Sequence, residues 1–140
     1  MKRKETWRRS WARLAALALL AAAPVSAKPL TVRTGETWIF TVERGQPAKA
    51  RKALPAAAAA PGEIKVTVQP LMGTTMTVTN NSRFDYSYRA MFIQPDGTVG
   101  LSKTCAVPAH GKPAMEHWPK RVAAVRLSNF RRAPAGSLCP

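Results

Sequence analysis

Between residues 28 and 140 the hydrophobic positions recur at every second residue rather than every third or fourth. In 37–43, Trp38, Phe40 and Val42 share one face, and Thr37, Thr41 and Glu43 share the other. Ile64, Val66 and Val68 alternate with Lys65, Thr67 and Gln69 in 63–69, and Met76 and Val78 oppose Thr75, Thr77 and Thr79 in 74–79. Through 84–92, Phe84, Tyr86, Tyr88, Ala90 and Phe92 oppose Asp85, Ser87 and Arg89. Successive side chains of an extended chain point to opposite faces, so each stretch predicts a half-buried strand. Asp96-Gly97 supplies a hairpin turn, because both residues tolerate positive φ, and the chain returns along 98–105. A short strand at 114–118, between Pro113 and Pro119, precedes a last strong one at 122–130 with Val125 and Leu127 on its core face. About seven strands with turn signals between most of them predict an all-β fold, an immunoglobulin-like antiparallel β-sandwich; a small barrel is the alternative.

Two segments fall outside this pattern. Residues 44–62 (RGQPAKARKALPAAAAAPG) are Ala- and Pro-rich, with Pro47, Pro55 and Pro61 and no apolar stripe. They read as a mobile loop between the first two strands, leaving Lys49, Arg51 and Lys52 solvated. Residues 1–27 read as a signal peptide. Lys2, Arg3, Lys4, Arg8, Arg9 and Arg13 precede an apolar run (LAALALLAAAPV), which ends in small residues suited to cleavage after Ala27. The run is short of the ~20 residues that a membrane-spanning helix needs. The expectation is an exported protein, periplasmic or secreted, with one β-sandwich domain over 28–140. Arg8-Arg9 allows the twin-arginine route beside the general one. With the first cysteine at Cys105, a lipid anchor at the cleavage site is excluded.

The charge follows this division. The whole chain carries +15; residues 1–27 contribute six basic side chains and one acid, so the remainder keeps +10. Arg83, Arg89, Lys103, Lys112, Lys120, Arg121, Arg126, Arg131 and Arg132 concentrate in the second half. Sharing one face, they would attract anionic polymers or membrane head groups. Nucleic acid is not expected, since export removes the protein from it and no stacking aromatics line a basic groove.

Two cysteines in an oxidising compartment predict a disulfide, Cys105–Cys139, the alternative being a bridge to another chain through the tail that carries Cys139. It closes a 34-residue loop, which the chain-entropy argument makes worth about 3.5–4 kcal/mol. A competing chemistry is also written here. Cys105, His110 and Met115 resemble the ligand loop of the cupredoxins, in which a thiolate, imidazoles and an axial thioether hold copper. That resemblance implies a periplasmic redox or copper carrier. Against it, no histidine precedes His110, and a further strand follows Met115. A zinc site from Cys105, His110, His117 and Cys139 matches no common spacing.

Catalytic patterns are sparse. Ser102, His110 and Asp85 make a triad only on paper, without a Gly-x-Ser-x-Gly elbow, and the carboxylates are scattered singly. No cofactor or catalytic residue is expected. Glu116, His117 and Trp118 form the local cluster best suited to recognition, the alternative being that Trp118 caps one end of the core. From Val78 to Phe130 the chain shows Asn-Asn-Ser closing a strand, an aromatic strand, an Asp-Gly turn, a Gly-containing turn and a final aliphatic strand. In this order of features it resembles small bacterial extracytoplasmic immunoglobulin-like β-sandwich proteins. The resemblance implies a fold and not an activity. The functional expectation is a non-enzymatic module that binds an envelope protein or an anionic envelope surface.

Overall fold

The computed structural model describes residues 27–134 together with Gly136 and Cys139. The signal-peptide reading of 1–27 lies almost wholly outside these residues. Within them the chain is all-β and contains no helix. Nine strands follow one another: β1 (Leu30–Arg33), β2 (Thr37–Glu43), β3 (Gln46–Ala53), β4 (Ile64–Gln69), β5 (Thr74–Asn80), β6 (Tyr86–Ile93), β7 (Val99–Ser102), β8 (Pro113–Trp118) and β9 (Ala124–Arg132). They form two antiparallel sheets, β1-β9-β6-β7 and β3-β2-β4-β5-β8.

The period-two alternation explains the layering. Phe40, Ile64, Val66, Val68, Met76 and Val78 from the larger sheet meet Val32, Tyr88, Ala90, Val125, Leu127 and Phe130 from the smaller one in a single core. Phe130 is its hub. The ring lies 5.5 Å from Phe40 across the layers, edge-on, and stacks on Tyr88 at 5.3 Å. Such contacts add roughly 0.5–1.5 kcal/mol each beyond the buried area.

Polar ties close the ends. Thr74 Oγ1 donates to the Lys120 carbonyl at 3.0 Å and accepts the Val122 amide at 2.9 Å, holding the β8–β9 connection to the start of β5. Gly73, in the β4–β5 turn at φ 111°, lies so close to β8 that a Cβ would meet the Trp118 carbonyl oxygen and the Pro119 backbone. Only a residue without a side chain fits this approach.

Residues 44–62 are not loop throughout. Residues 46–53 form edge strand β3, hydrogen-bonded to β2, with a bulge opposite Phe40 where Lys49 adopts φ 51°. An edge strand with solvent beside it needs no apolar stripe, and it tolerates a proline such as Pro47. Lys49, Arg51 and Lys52 are exposed to solvent, as their composition implied, and each also pairs with an acid, Glu43, Glu63 and Glu36 respectively. The following segment is tied down in turn. Lys65 Nζ donates to the carbonyls of Pro55 and Ala57, and Asn81 Nδ2 donates to that of Ala59 at 2.8 Å. Strand β1 is the other addition to the predicted set; at four residues it is too short for its alternation to register.

Candidate functional site

The structure distributes the sequence-predicted site residues by role. Cys105 and Cys139 are joined in a disulfide. The Cys105 sulfur is therefore engaged and does not supply the thiolate that a type-1 copper site needs. Met115 projects from the outer face of edge strand β8 and is 64% exposed, while His110 lies in the β7–β8 connection at φ 64°. Among the described residues, no three His, Cys, Asp or Glu side chains gather as a metal-holding group.

Glu116, His117 and Trp118 do not line one pocket, because strand alternation sends them to opposite faces. Trp118 is buried, and its indole Nε1 donates to Ser102 Oγ of β7 at 2.9 Å. Glu116 Oε1 accepts the Cys105 amide at 2.8 Å. These two side chains seam the β7 and β8 edges of the sandwich. His117 lies on the outer face, its Nδ1 3.0 Å from Thr75 Oγ1. Ser102, His110 and Asp85 do not assemble either: Asp85 accepts the amides of Ala109 and Gly136, and Ser102 is bonded to Trp118.

The feature that sequence left conditional is the sharing of one face by basic residues. The four strands of the smaller sheet contain five arginines and no Asp or Glu. On its outer face, register places Thr31, Arg126, Met91 and Leu101 in one row across the strands, and Arg33, Ala124, Ile93 and Val99 in the next. Arg89 pairs with Ser128, and Arg131 with Ser87. Arg33, Arg89, Arg126 and Arg131 thus surround an apolar strip whose outermost members, Leu101 and Val99, are 65% and 49% exposed. Of the basic residues singled out from sequence, Arg89, Arg126 and Arg131 belong to this face, and Arg33 joins them from β1. Arg83 and Arg132 lie at one end of the sandwich, packed on Phe84. Lys120 stacks on Phe92 at 3.7 Å.

All six acids outside residues 1–27 are occupied elsewhere. Glu36, Glu43 and Glu63 pair with β3, and Asp85, Asp96 and Glu116 accept backbone amides. Glu36 is held most firmly. Lys52 Nζ at 2.8 Å and the Trp38 indole at 2.9 Å favour its carboxylate, pushing its pKa from 4.5 down to about 2. Glu63 is lowered too, by the Arg51 fork and by the Ala60 amide. The larger sheet is therefore locally neutralised beside β3, while the arginine face has no internal counter-charge.

A cleft opens at the β5–β6 end. This cleft of about 490 Å³ is lined by Pro61, Gly62, Asn81, Arg83, Tyr86 and His110 with Phe84 at its wall. Behind it Asn80 is fully buried, donates through Nδ2 to the Phe84 carbonyl at 2.6 Å and accepts the Ser82 amide at 3.0 Å through Oδ1. No protein-family model, curated protein or solved structure matches the chain. Among the described residues no helix is long and apolar enough to cross a membrane.

Proposed function

We propose that this is an exported, non-enzymatic, immunoglobulin-like module that lays the outer face of its smaller sheet on an anionic envelope surface, with phosphate-bearing lipid head groups as its target. The observation that carries this reading is the acid-free face of Arg33, Arg89, Arg126 and Arg131 around the exposed Val99 and Leu101. Export is supported by the charge and hydropathy of 1–27 and by a disulfide of the kind that oxidising compartments maintain. A positively charged sheet face spread over four strands suits a laterally extended anionic surface better than a single deep ligand. Each basic side chain near such a surface contributes about 1 kcal/mol, so four give about 4 kcal/mol, a millimolar affinity. Insertion of the apolar strip among head groups strengthens it, by roughly 25 cal/mol for each Å² removed from water.

The test is co-sedimentation of the oxidised protein with vesicles. Binding is expected to vesicles containing phosphatidylglycerol, to be weak to vesicles of phosphatidylcholine alone, and to fall as salt rises. The Arg89→Gln, Arg126→Gln, Arg131→Gln triple variant is expected to drop to the phosphatidylcholine level. Equal binding to both vesicles, or an unaffected triple variant, overturns the proposal.

A further inference from the structure

We infer that the β4–β5 turn, residues 70–73, is an apolar tip that enters the head-group region of an anionic bilayer, with Leu71 and Met72 as the inserting side chains. Met72 is 87% exposed, more than any other large hydrophobic side chain among the described residues, and its neighbour Leu71 is 55% exposed. Met72 also stands at φ 48°, a left-handed conformation that is strained for a residue with a Cβ. A turn meant only for solvent takes glycine or asparagine at such a position. The turn is nonetheless held in place. Gly73 rests against the Trp118 carbonyl and the Pro119 backbone, Thr74 Oγ1 donates to the Lys120 carbonyl at 3.0 Å, and Thr75 Oγ1 donates to the Leu71 carbonyl at 3.4 Å.

The same contacts set the turn beside the β8–β9 connection. Its Lys120 and Arg121 are exposed, and among the described residues neither has a carboxylate within ion-pair distance. Three backbone bonds knit this end of the sandwich: the Thr34 amide to the Ala123 carbonyl at 3.0 Å, the Ala123 amide to the Ile93 carbonyl at 2.8 Å, and the Gly35 amide to the Val68 carbonyl at 2.7 Å. The acids that these connections bring here are engaged, Glu36 by Lys52 and the Trp38 indole, Asp96 by the Thr98 amide and hydroxyl. An apolar pair with cations beside it complements a bilayer of anionic lipids, where the apolar groups sink below the phosphates and the cations stay level with them. An apolar groove on a protein would leave those cations unanswered. These residues belong to the larger sheet and the end connections, so the inference goes beyond the sheet-face contact proposed above.

The chain's own methionines supply the probes. Met72 reports the turn, Met91 the outer face of the smaller sheet, Met115 the outer face of β8 and Met76 the core. The oxidised protein, methyl-labelled at methionine, is mixed with phosphatidylglycerol-containing bicelles that carry a nitroxide high on the acyl chain, and the methyl NMR resonances are followed. The Met72 methyl is expected to broaden several-fold more than those of Met115 and Met76. Equal broadening at Met115, itself 64% exposed, overturns the inference. So does a sharp Met72 resonance in bicelle-bound protein, which leaves another protein as the turn's occupant. A sharp Met72 beside a broadened Met91 leaves the sheet-face reading standing; the reverse pattern supports the turn and overturns the sheet face, and no binding at all overturns both. Met72→Gly separates insertion from stability. It relieves the left-handed strain, so the thermal midpoint should hold or rise while bicelle binding weakens about tenfold. A Met72→Gly protein that binds as tightly as the parent also overturns the inference.

Discussion

Asn80 ends β5 wholly out of solvent, with both ends of its carboxamide in use. Its Nδ2 supplies the Phe84 carbonyl and its Oδ1 takes the Ser82 amide, so one polar side chain shapes the turn that presents Arg83 and Phe84. Asn80→Ala leaves the half-buried Ser82 amide without its acceptor and takes one of two donors from the Phe84 carbonyl, which keeps Ser82 Oγ; an unpaired group of this kind has a desolvation penalty of about 1–3 kcal/mol. The expected loss is about 2–3 kcal/mol, measured as a lower urea midpoint with an unchanged slope. Asn80→Asp should lose more, because a carboxylate would face the Phe84 carbonyl oxygen without a proton to share. An unchanged midpoint for both variants would show that water replaces the carboxamide. The Asn-Asn-Ser sequence reads from the chain as the end of a strand, yet nothing in it says that Asn80 turns inward. Its inward position follows from the alternation of β5, which puts residues 76, 78 and 80 on the core face.

The five strongest alternations, those beginning at Thr37, Ile64, Thr74, Tyr86 and Ala124, were legible because one face of each is buried and the other solvated. Strand β3 was not, since its place in the sheet comes from edge pairing and ion pairs rather than a core face. The sequence Gln-Pro-Ala-Lys-Ala-Arg-Lys-Ala carries a flexible linker's composition, and only the opposing Glu36, Glu43 and Glu63 reveal its partners. This pairing has a pH signature. The Glu36 carboxyl, near 4.5 when unfolded, falls to about 2 in the fold. Its contribution is therefore complete above pH 4.5 and disappears as pH falls through about 2. Glu36→Gln should lower stability at neutral pH by an amount that shrinks across this acid window and vanishes at its lower end. Thermal midpoints of the two proteins, followed between pH 7 and pH 2, check this; a constant gap would mean that hydrogen-bond geometry, not ionisation, ties β3 to the sheet.

Over the whole molecule, charge is sorted by sheet. The chain beyond residue 27 carries +10, but the three cations of β3 each stand beside a carboxylate, whereas the arginines of the smaller sheet share their face with none. Sequence could supply the total and not this sorting, because Arg33, Arg89 and Arg126 become neighbours only through the order β1-β9-β6-β7. The distinction yields a matched comparison. The Arg89→Gln, Arg126→Gln, Arg131→Gln triple and the Lys49→Gln, Arg51→Gln, Lys52→Gln triple each remove three positive charges. If net charge alone drew the protein to an anionic surface, both would weaken binding alike. Screening at physiological salt acts over about 8 Å, so the field at a docked surface is set by the face that touches it. The first triple should therefore abolish binding to phosphatidylglycerol vesicles and flatten its salt dependence. The second exposes three carboxylates on the opposite layer; it should retain most of the binding while losing thermal stability from β3. Equal losses in the two triples, measured at one ionic strength and below the thermal midpoint of either, would return the basicity of this chain to a property of its composition.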